Sequence, residues 1–214
     1  MIVLADNDII LKLAQCDLLE CLPDILGEEW TEIFVSPTAK HQLLPKNRDK
    51  ALNKCGNEET LTRLIEFLDI TKSLSVVQDS TLLAMLDDID GIDGGEKFLF
   101  AAAAELTNPL LITGDRRALR SLIEHKTRLH KVFAVLQNSV VTFESAILLA
   151  LQIVGFAIVK QKLLGSPKPD NMLRLVLKSE MREAELIECL CSYSKEIIPL
   201  LAFKQCLPPS LSQL

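Results

Sequence analysis

Three acids stand where separate chain elements could bring metal ligands together. Asp6 ends the run Ile2-Val3-Leu4-Ala5, Asp115 follows Leu110-Leu111-Ile112-Thr113-Gly114, and Glu96 opens an alanine-rich stretch directly after Gly94-Gly95. Hard cations such as Mg2+ take oxygen ligands and keep several waters. Carboxylates converging from separate elements repel one another until such a cation binds. The bound ion lowers the pKa of a water and stabilises charge on a phosphoryl oxygen, and phosphodiester hydrolysis needs both services. Each acid also has a plainer reading. An Asp after a strand is often a turn former or a helix N-cap, and a Glu in a first helical turn is favoured by the helix dipole.

The elements that must position these acids are legible as apolar runs. Residues 2–5 and 110–113 read as strands buried on both faces, and residues 33–36 as another. Pro37 and Thr38 open a helix that Pro45 stops. Residues 45–57 read as a loop or a short exposed helix, and 58–68 as a helix. Candidate strand material follows at 70–71 and 75–77. A helix starting near Leu82 runs into the acids, and Glu96–Leu106 forms an alanine-rich helix. Residues 116–125 are helical, and 132–136 and 140–142 offer one or two last edge strands. Strands alternating with helices predict βαβ units and a parallel sheet. Ligands bind such sheets outside the carboxyl ends of the strands, where Asp6 and Asp115 both fall. From residue 144 onward the pattern is helical: one or two apolar helices over 144–164, a linker at 165–169, and an apolar stripe from Leu173 to Ile198.

Several patterns are excluded. Asp87-Asp88-Ile89-Asp90-Gly91-Ile92-Asp93-Gly94-Gly95-Glu96 is rich in acids, but it lacks the glycine and the final glutamate of an EF-hand loop. Asp87, Asp88 and Asp90 read as a solvated loop, whereas Asp93 borders Glu96 and is a further metal candidate. Neither a phosphate-binding glycine loop nor a serine nucleophile elbow is present. The net charge of −6 excludes a strongly basic coat over the whole chain, but not a local basic strip. Two such strips occur, at 40–54 and 116–131, and Lys40, Arg116 and Arg117 are the expected RNA contacts.

The ordered set Ile2-Val3-Leu4-Ala5-Asp6-Asn7-Asp8, Gly94-Gly95-Glu96-Lys97-Phe98-Leu99-Phe100-Ala101-Ala102-Ala103 and Leu111-Ile112-Thr113-Gly114-Asp115-Arg116-Arg117 resembles the PIN-domain nucleases, which include the VapC-type toxins of bacterial toxin–antitoxin pairs. The likeness covers roughly residues 1–143. The resemblance implies a three-layer α/β/α fold with a parallel sheet of four or five strands, followed by a C-terminal helical extension over 144–214. It also implies a Mg2+- or Mn2+-dependent endoribonuclease, with the toxin of such a pair as one reading. Asp6, Glu96 and Asp115 fall on the family's metal-binding acids, and Asp8 falls on the polar position two residues after the first. The family usually carries a Glu in the helix after the second strand. Here Gln42 stands about there, able to coordinate through its carbonyl but without charge, and His41 is its neighbour. Asp8 or Asp93 could compensate. That departure keeps a second reading open, a catalytically degenerate PIN-like module that binds RNA or protein. An antitoxin, another protein partner or a second copy of the chain are the partners the resemblance implies.

Hydrophobic residues make up 49% of the 214-residue chain, enough for a sizeable core. The six cysteines contain no CxxC pair and read as reduced and mostly buried, as in a cytoplasmic protein. The N-terminus lacks a signal-peptide pattern. The apolar run 146–159 is shorter than the ~20 residues of a spanning helix, so no membrane association is expected.

Overall fold

The fold is α/β. The structure, a computed structural model, describes residues 1–212. Five parallel strands run in the order β3-β2-β1-β4-β5, with β1 at Val3–Ala5, β2 at Ile33–Val35, β3 at Lys72–Ser73, β4 at Leu110–Thr113 and β5 at Val140–Thr142. The two central strands are wholly apolar or buried: Val3, Leu4, Ala5 and Leu111 are fully inaccessible. A strand covered on both faces has no polar side to alternate with. Its register is set by backbone pairing, Val3 with Leu110 and Ala5 with Ile112.

The helices are α1 (Asn7–Gln15), α2 (Leu22–Leu26), α3 (Ala39–Leu43), α4 (Arg48–Cys55), α5 (Glu58–Ile70), α6 (Ser80–Asp87), α7 (Gly94–Ala104), α8 (Arg116–Glu124), α9 (His130–Leu136), α10 (Phe143–Val154), α11 (Phe156–Leu164), α12 (Asn171–Val176), α13 (Glu183–Ser194) and α14 (Pro209–Ser212). They flank the sheet on both faces as a three-layer α/β/α arrangement. Helix α1 packs against α3, α5 and α10, whereas α7 packs against α6, α9, β1 and β4. Alanines 101–104 are buried in α7, and their small side chains let its backbone approach the sheet closely.

Three expectations change in detail. The apolar run 132–136 is the helix α9, not a strand. Only Val132 and Leu136 are buried in it, and an i, i+4 spacing marks one helical face. The third strand lies between the two expected pieces. Lys72 and Ser73 pair with Phe34 and Val35, while Ile70 ends α5 and residues 75–77 are irregular. Of the two readings of 45–57 the short helix holds: Asn47 caps α4 by accepting from the Lys50 N–H, and Gly56 closes it at φ 96°. The stripe from Leu173 is interrupted between α12 and α13 and ends in a 3-10 segment, Lys195–Leu200, that contains Pro199.

The C-terminal helices share the central core. Phe143, Ile147, Leu186, Leu190 and Leu201 belong to the same buried cluster as Val3, Leu4 and Leu111. The segment after α13 also covers the β5 edge, where the Ala202 N–H donates to the Val140 carbonyl at 2.8 Å and Leu201 forms a parallel bridge with Val140. A covered edge offers no template for further pairing. The last two residues of the expected extension lie outside the described residues. No helix among the described residues is long and apolar enough to cross a membrane.

Gly155 divides the apolar stretch 144–164 into α10 and α11. Its φ of 83° and ψ of 160° lie in a region that only glycine adopts readily. Gly155→Ala is therefore expected to lower stability by about 1–3 kcal/mol, although open space surrounds the added Cβ. Equilibrium denaturation checks this. An unchanged midpoint would mean that the α10–α11 corner relaxes freely.

Candidate metal centre

The sheet order reverses direction between β1 and β4. The chain leaves β1 towards β2 on one side, and later returns to place β4 on the other. A crevice opens outside the carboxyl ends of strands at such a switch point. Asp6 stands one residue beyond β1, and its N–H donates to the Ile112 carbonyl of β4 at 2.9 Å. Asp115 stands two residues beyond β4, its N–H on the Thr113 hydroxyl at 3.1 Å. Backbone pairing of two buried strands thus brings both acids to one edge.

The plainer reading of these acids and the ligand reading hold together. Asp6 caps α1, accepting from the Asp8 N–H at 3.2 Å. Asp93 caps α7 through Oδ1, accepting from the N–H groups of Gly95 at 2.8 Å and Glu96 at 3.2 Å. Asp115 caps α8 through Oδ1, accepting from Arg117 at 2.8 Å and Ala118 at 3.0 Å. In Asp93 and Asp115 one oxygen does all the capping and the other is left for a second partner. Three helix N-termini surround the same crevice, and their partial positive charge favours anions there.

Carboxylate oxygens of Asp93, Glu96 and Asp115 lie within 4.8 Å of one another. Glu96 is only 5% exposed, and its pKa is pushed up to about 8 by burial first, then by its hydrogen bond to Asp93 and the charges of Asp6 and Asp93. Asp6 is pushed up to about 6, mainly by burial, with Asp8 and Asp93 adding repulsion. Asp93 moves the other way, held below the usual carboxylate range chiefly by the hydrogen bond from Glu96. At neutral pH the pair therefore carries a proton, on Glu96 and shared towards Asp93. Carboxylates this close together offer oxygen ligands of the kind a hard divalent ion takes. Asp93, Glu96 and Asp115 could together hold a metal ion.

The crevice has a volume of about 870 Å3. Asp6, Asp8, Asp93, Glu96 and Asp115 line one side. Ser36, Thr38, Gln42 and Lys54 line the side next to β2, with Leu43, Phe98 and Leu99 as apolar wall. Gln42 reaches the crevice, but its Oε1 already accepts a hydrogen bond from the Asn7 side chain. Asp8 sits at the lip, paired with Lys12 at 2.8 Å, and lies outside the three-acid group.

The expected RNA contacts part company. Lys40 pairs with Asp69 at 2.8 Å on an exposed surface and does not line the crevice. Arg116 turns away into the C-terminal helices. Its guanidinium stacks over the Tyr193 ring at 4.4 Å, donates to the Tyr193 carbonyl at 2.9 Å and lies 3.7 Å from the buried Glu144. Arg117 is exposed, and its charge helps to hold Asp93 below its usual range. In the same strip Arg120, Arg128 and Lys131 are each paired with an acid. His41 is exposed and does not line the crevice. Asp87 and Asp88 are exposed and ion-paired with Lys97 and Arg128. Sequence reasoning passed over Ser36 and Thr38, and reached Lys54 only as one cation of the basic strip 40–54. Their signal was the position of the segment after β2, one strand from Asp6.

Compared with protein-family models, with curated proteins and with solved structures, the chain matches none.

Proposed function

We propose that the chain is a Mg2+- or Mn2+-dependent endoribonuclease of PIN-like arrangement that hydrolyses RNA phosphodiesters. The observation that carries this reading is the convergence of Asp93, Glu96 and Asp115 within 4.8 Å at the switch point, with Asp6 in the same electrostatic field. Asp6, Glu96 and Asp115 would hold the ion, joined by Asp93. A bound divalent ion supplies an acidified water and a counter-charge for the phosphoryl oxygens. The chain's own residues do the rest. The helix caps fix one oxygen of Asp93 and one of Asp115 and so aim the other. Glu96 holds a proton towards Asp93 and must release it for its carboxylate to ligate. Phe98 and Leu99 exclude water from one wall.

A second reading is favoured by Gln42. An amide occupies a wall of the crevice where an acid would add charge, which suits a module that binds RNA or protein without cutting. Incubating the purified protein and a mixed RNA panel with Mn2+, and again with excess chelator, separates the two readings. Cleavage with Mn2+ that chelation abolishes supports the nuclease. Absent cleavage, with calorimetry showing no Mn2+ binding below millimolar, supports the non-catalytic module.

A further inference from the structure

The crevice is unevenly charged across the sheet edge. The acids gather at the ends of β1 and β4, whereas the β2 side carries Ser36, Thr38 and Lys54. Lys54 is the one cationic side chain lining the crevice among the described residues. It forms an ion pair with no acid among them, although five acids line the same crevice.

Its place is built rather than incidental. The last residues of α4 are anchored by buried Ala51 and Cys55, and the Lys54 carbonyl accepts from the Gln15 side chain at 3.0 Å. The ammonium donates to the Gln42 carbonyl at 2.7 Å, near the end of α3. That contact uses one of three N–H donors and holds the charge at the crevice wall. The Ser36 and Thr38 hydroxyls lie 3.3 Å apart on the same side and can add donors to an anion. Neighbouring strands are spaced ~4.8 Å apart, so the β2 and β4 ends stand roughly 10 Å apart. A group on the β2 side would then meet a phosphate next to the reacting one, not the reacting one itself.

We propose that Lys54, with Ser36 and Thr38, forms a phosphate subsite that holds the backbone of a single-stranded RNA as it crosses the sheet edge from β4 towards β2. This rests on the nuclease reading of the acids and names how the substrate is held. The lysine supplies the fixed positive charge that an acid-lined crevice otherwise lacks, and it makes a strand longer than one phosphodiester the preferred substrate. It is a positioning residue and takes no part in the bond cleaved.

The test is fluorescence anisotropy of a short labelled single-stranded oligoribonucleotide with Ca2+ in place of Mn2+, over a salt series, with oligonucleotide length verified afterwards. Lys54→Gln keeps a donor for the Gln42 carbonyl but removes the charge. It is expected to weaken binding several-fold and to flatten the slope of log affinity against log salt by about 0.7, the share of one phosphate on a single strand. Lys54→Arg should bind as wild type does. Mn2+ calorimetry on the same proteins reads the acids independently. Wild-type affinity and slope in a folded Lys54→Gln protein would overturn the subsite, and so would a metal-binding wild type that takes no oligonucleotide. Oligonucleotide binding that depends on Lys54 without Mn2+ binding would keep the subsite and overturn the nuclease reading. Should Lys54→Gln fail to fold, Ser36→Ala reads the same wall, with a smaller loss expected and no loss overturning the proposal.

Discussion

Asp115→Asn is expected to lower Mn2+-dependent RNA cleavage by on the order of a hundredfold or more while leaving the fold intact. The substitution separates two duties of one side chain. Asn caps a helix about as well as Asp, so the bonds from Arg117 and Ala118 to Oδ1 survive and α8 starts at the same residue. What is lost is the charge on an oxygen that lies within 4.8 Å of oxygens from Asp93 and Glu96. Asp6→Asn should behave in the same way, since asparagine can still accept from the Asp8 N–H. Asp115→Ala, by contrast, removes cap and charge together and should cost a further ~1 kcal/mol of stability. Single-turnover cleavage and thermal melts on the same preparations read the two effects separately. Full cleavage by Asp115→Asn with an unchanged melt would remove Asp115 from the metal centre.

Glu96→Gln should make the metal-free protein more stable, by about 2–4 kcal/mol at alkaline pH. The folded chain raises the Glu96 pKa from its ordinary 4.5 to about 8. Between those values the unfolded chain has lost the proton and the folded chain still binds it. Folded-state proton uptake exceeds that of the unfolded state, so stability falls as pH rises from about 4.5 to about 8 and levels off above. Asp6, raised to about 6, adds a decline of the same sign between its ordinary 3.8 and 6. Glutamine at 96 donates its amide to Asp93 without ever ionising, which removes the larger decline. The stabilisation should therefore be near zero at pH 4 and largest above pH 8. Denaturant midpoints at those two pH values, with chelator present, test it. A gain that does not change with pH would mean that Glu96 is not held protonated by its surroundings. In wild type, Mn2+ competes with these protons, so its binding should tighten as pH rises through 6 and 8. The carboxylates thus destabilise the metal-free fold in the range where they would bind metal, a trade common at functional sites.

Much of this arrangement follows from short-range signals. Val3–Ala5 and Leu110–Thr113 are apolar runs because they are covered on both faces, as central parallel strands are. An acid placed just past each run must then fall at the carboxyl edge, whatever the rest of the chain does. Asp93 is drawn in by its two-residue separation from Gly95, whose N–H it caps. Glu96, inside the first turn of α7, is carried with it. Asp93, Glu96 and Asp115 were thus all candidates from the sequence, whereas Asp6, expected as a principal ligand, lines the same crevice but stands outside that three-acid group.

Other features depended on partners distant in the chain. Residues 132–136 are apolar enough for a strand, and only the cover offered by α7 makes one helical face of them. The two residues of β3 pair because β2 presents an edge to them, and a ladder that short leaves no periodicity to detect.

The basic residues show the same division most clearly. Arg116 and Arg117 are adjacent in sequence and equal in charge, yet Arg116 is drawn into Tyr193 and Glu144 while Arg117 stays exposed beside Asp93. A long flexible side chain goes where a fixed partner lowers its energy, and Tyr193 lies far along the chain. Lys54 lines the same crevice for a related reason: the sheet order sets β2 next to β1, and the end of α3 offers its ammonium a backbone carbonyl. By itself the sequence determined the strand ends and the acids bound to them, because adjacency along the backbone carries that information. Only the tertiary structure decided which cations meet those acids, because side-chain direction is set by contacts between segments that the chain order leaves apart.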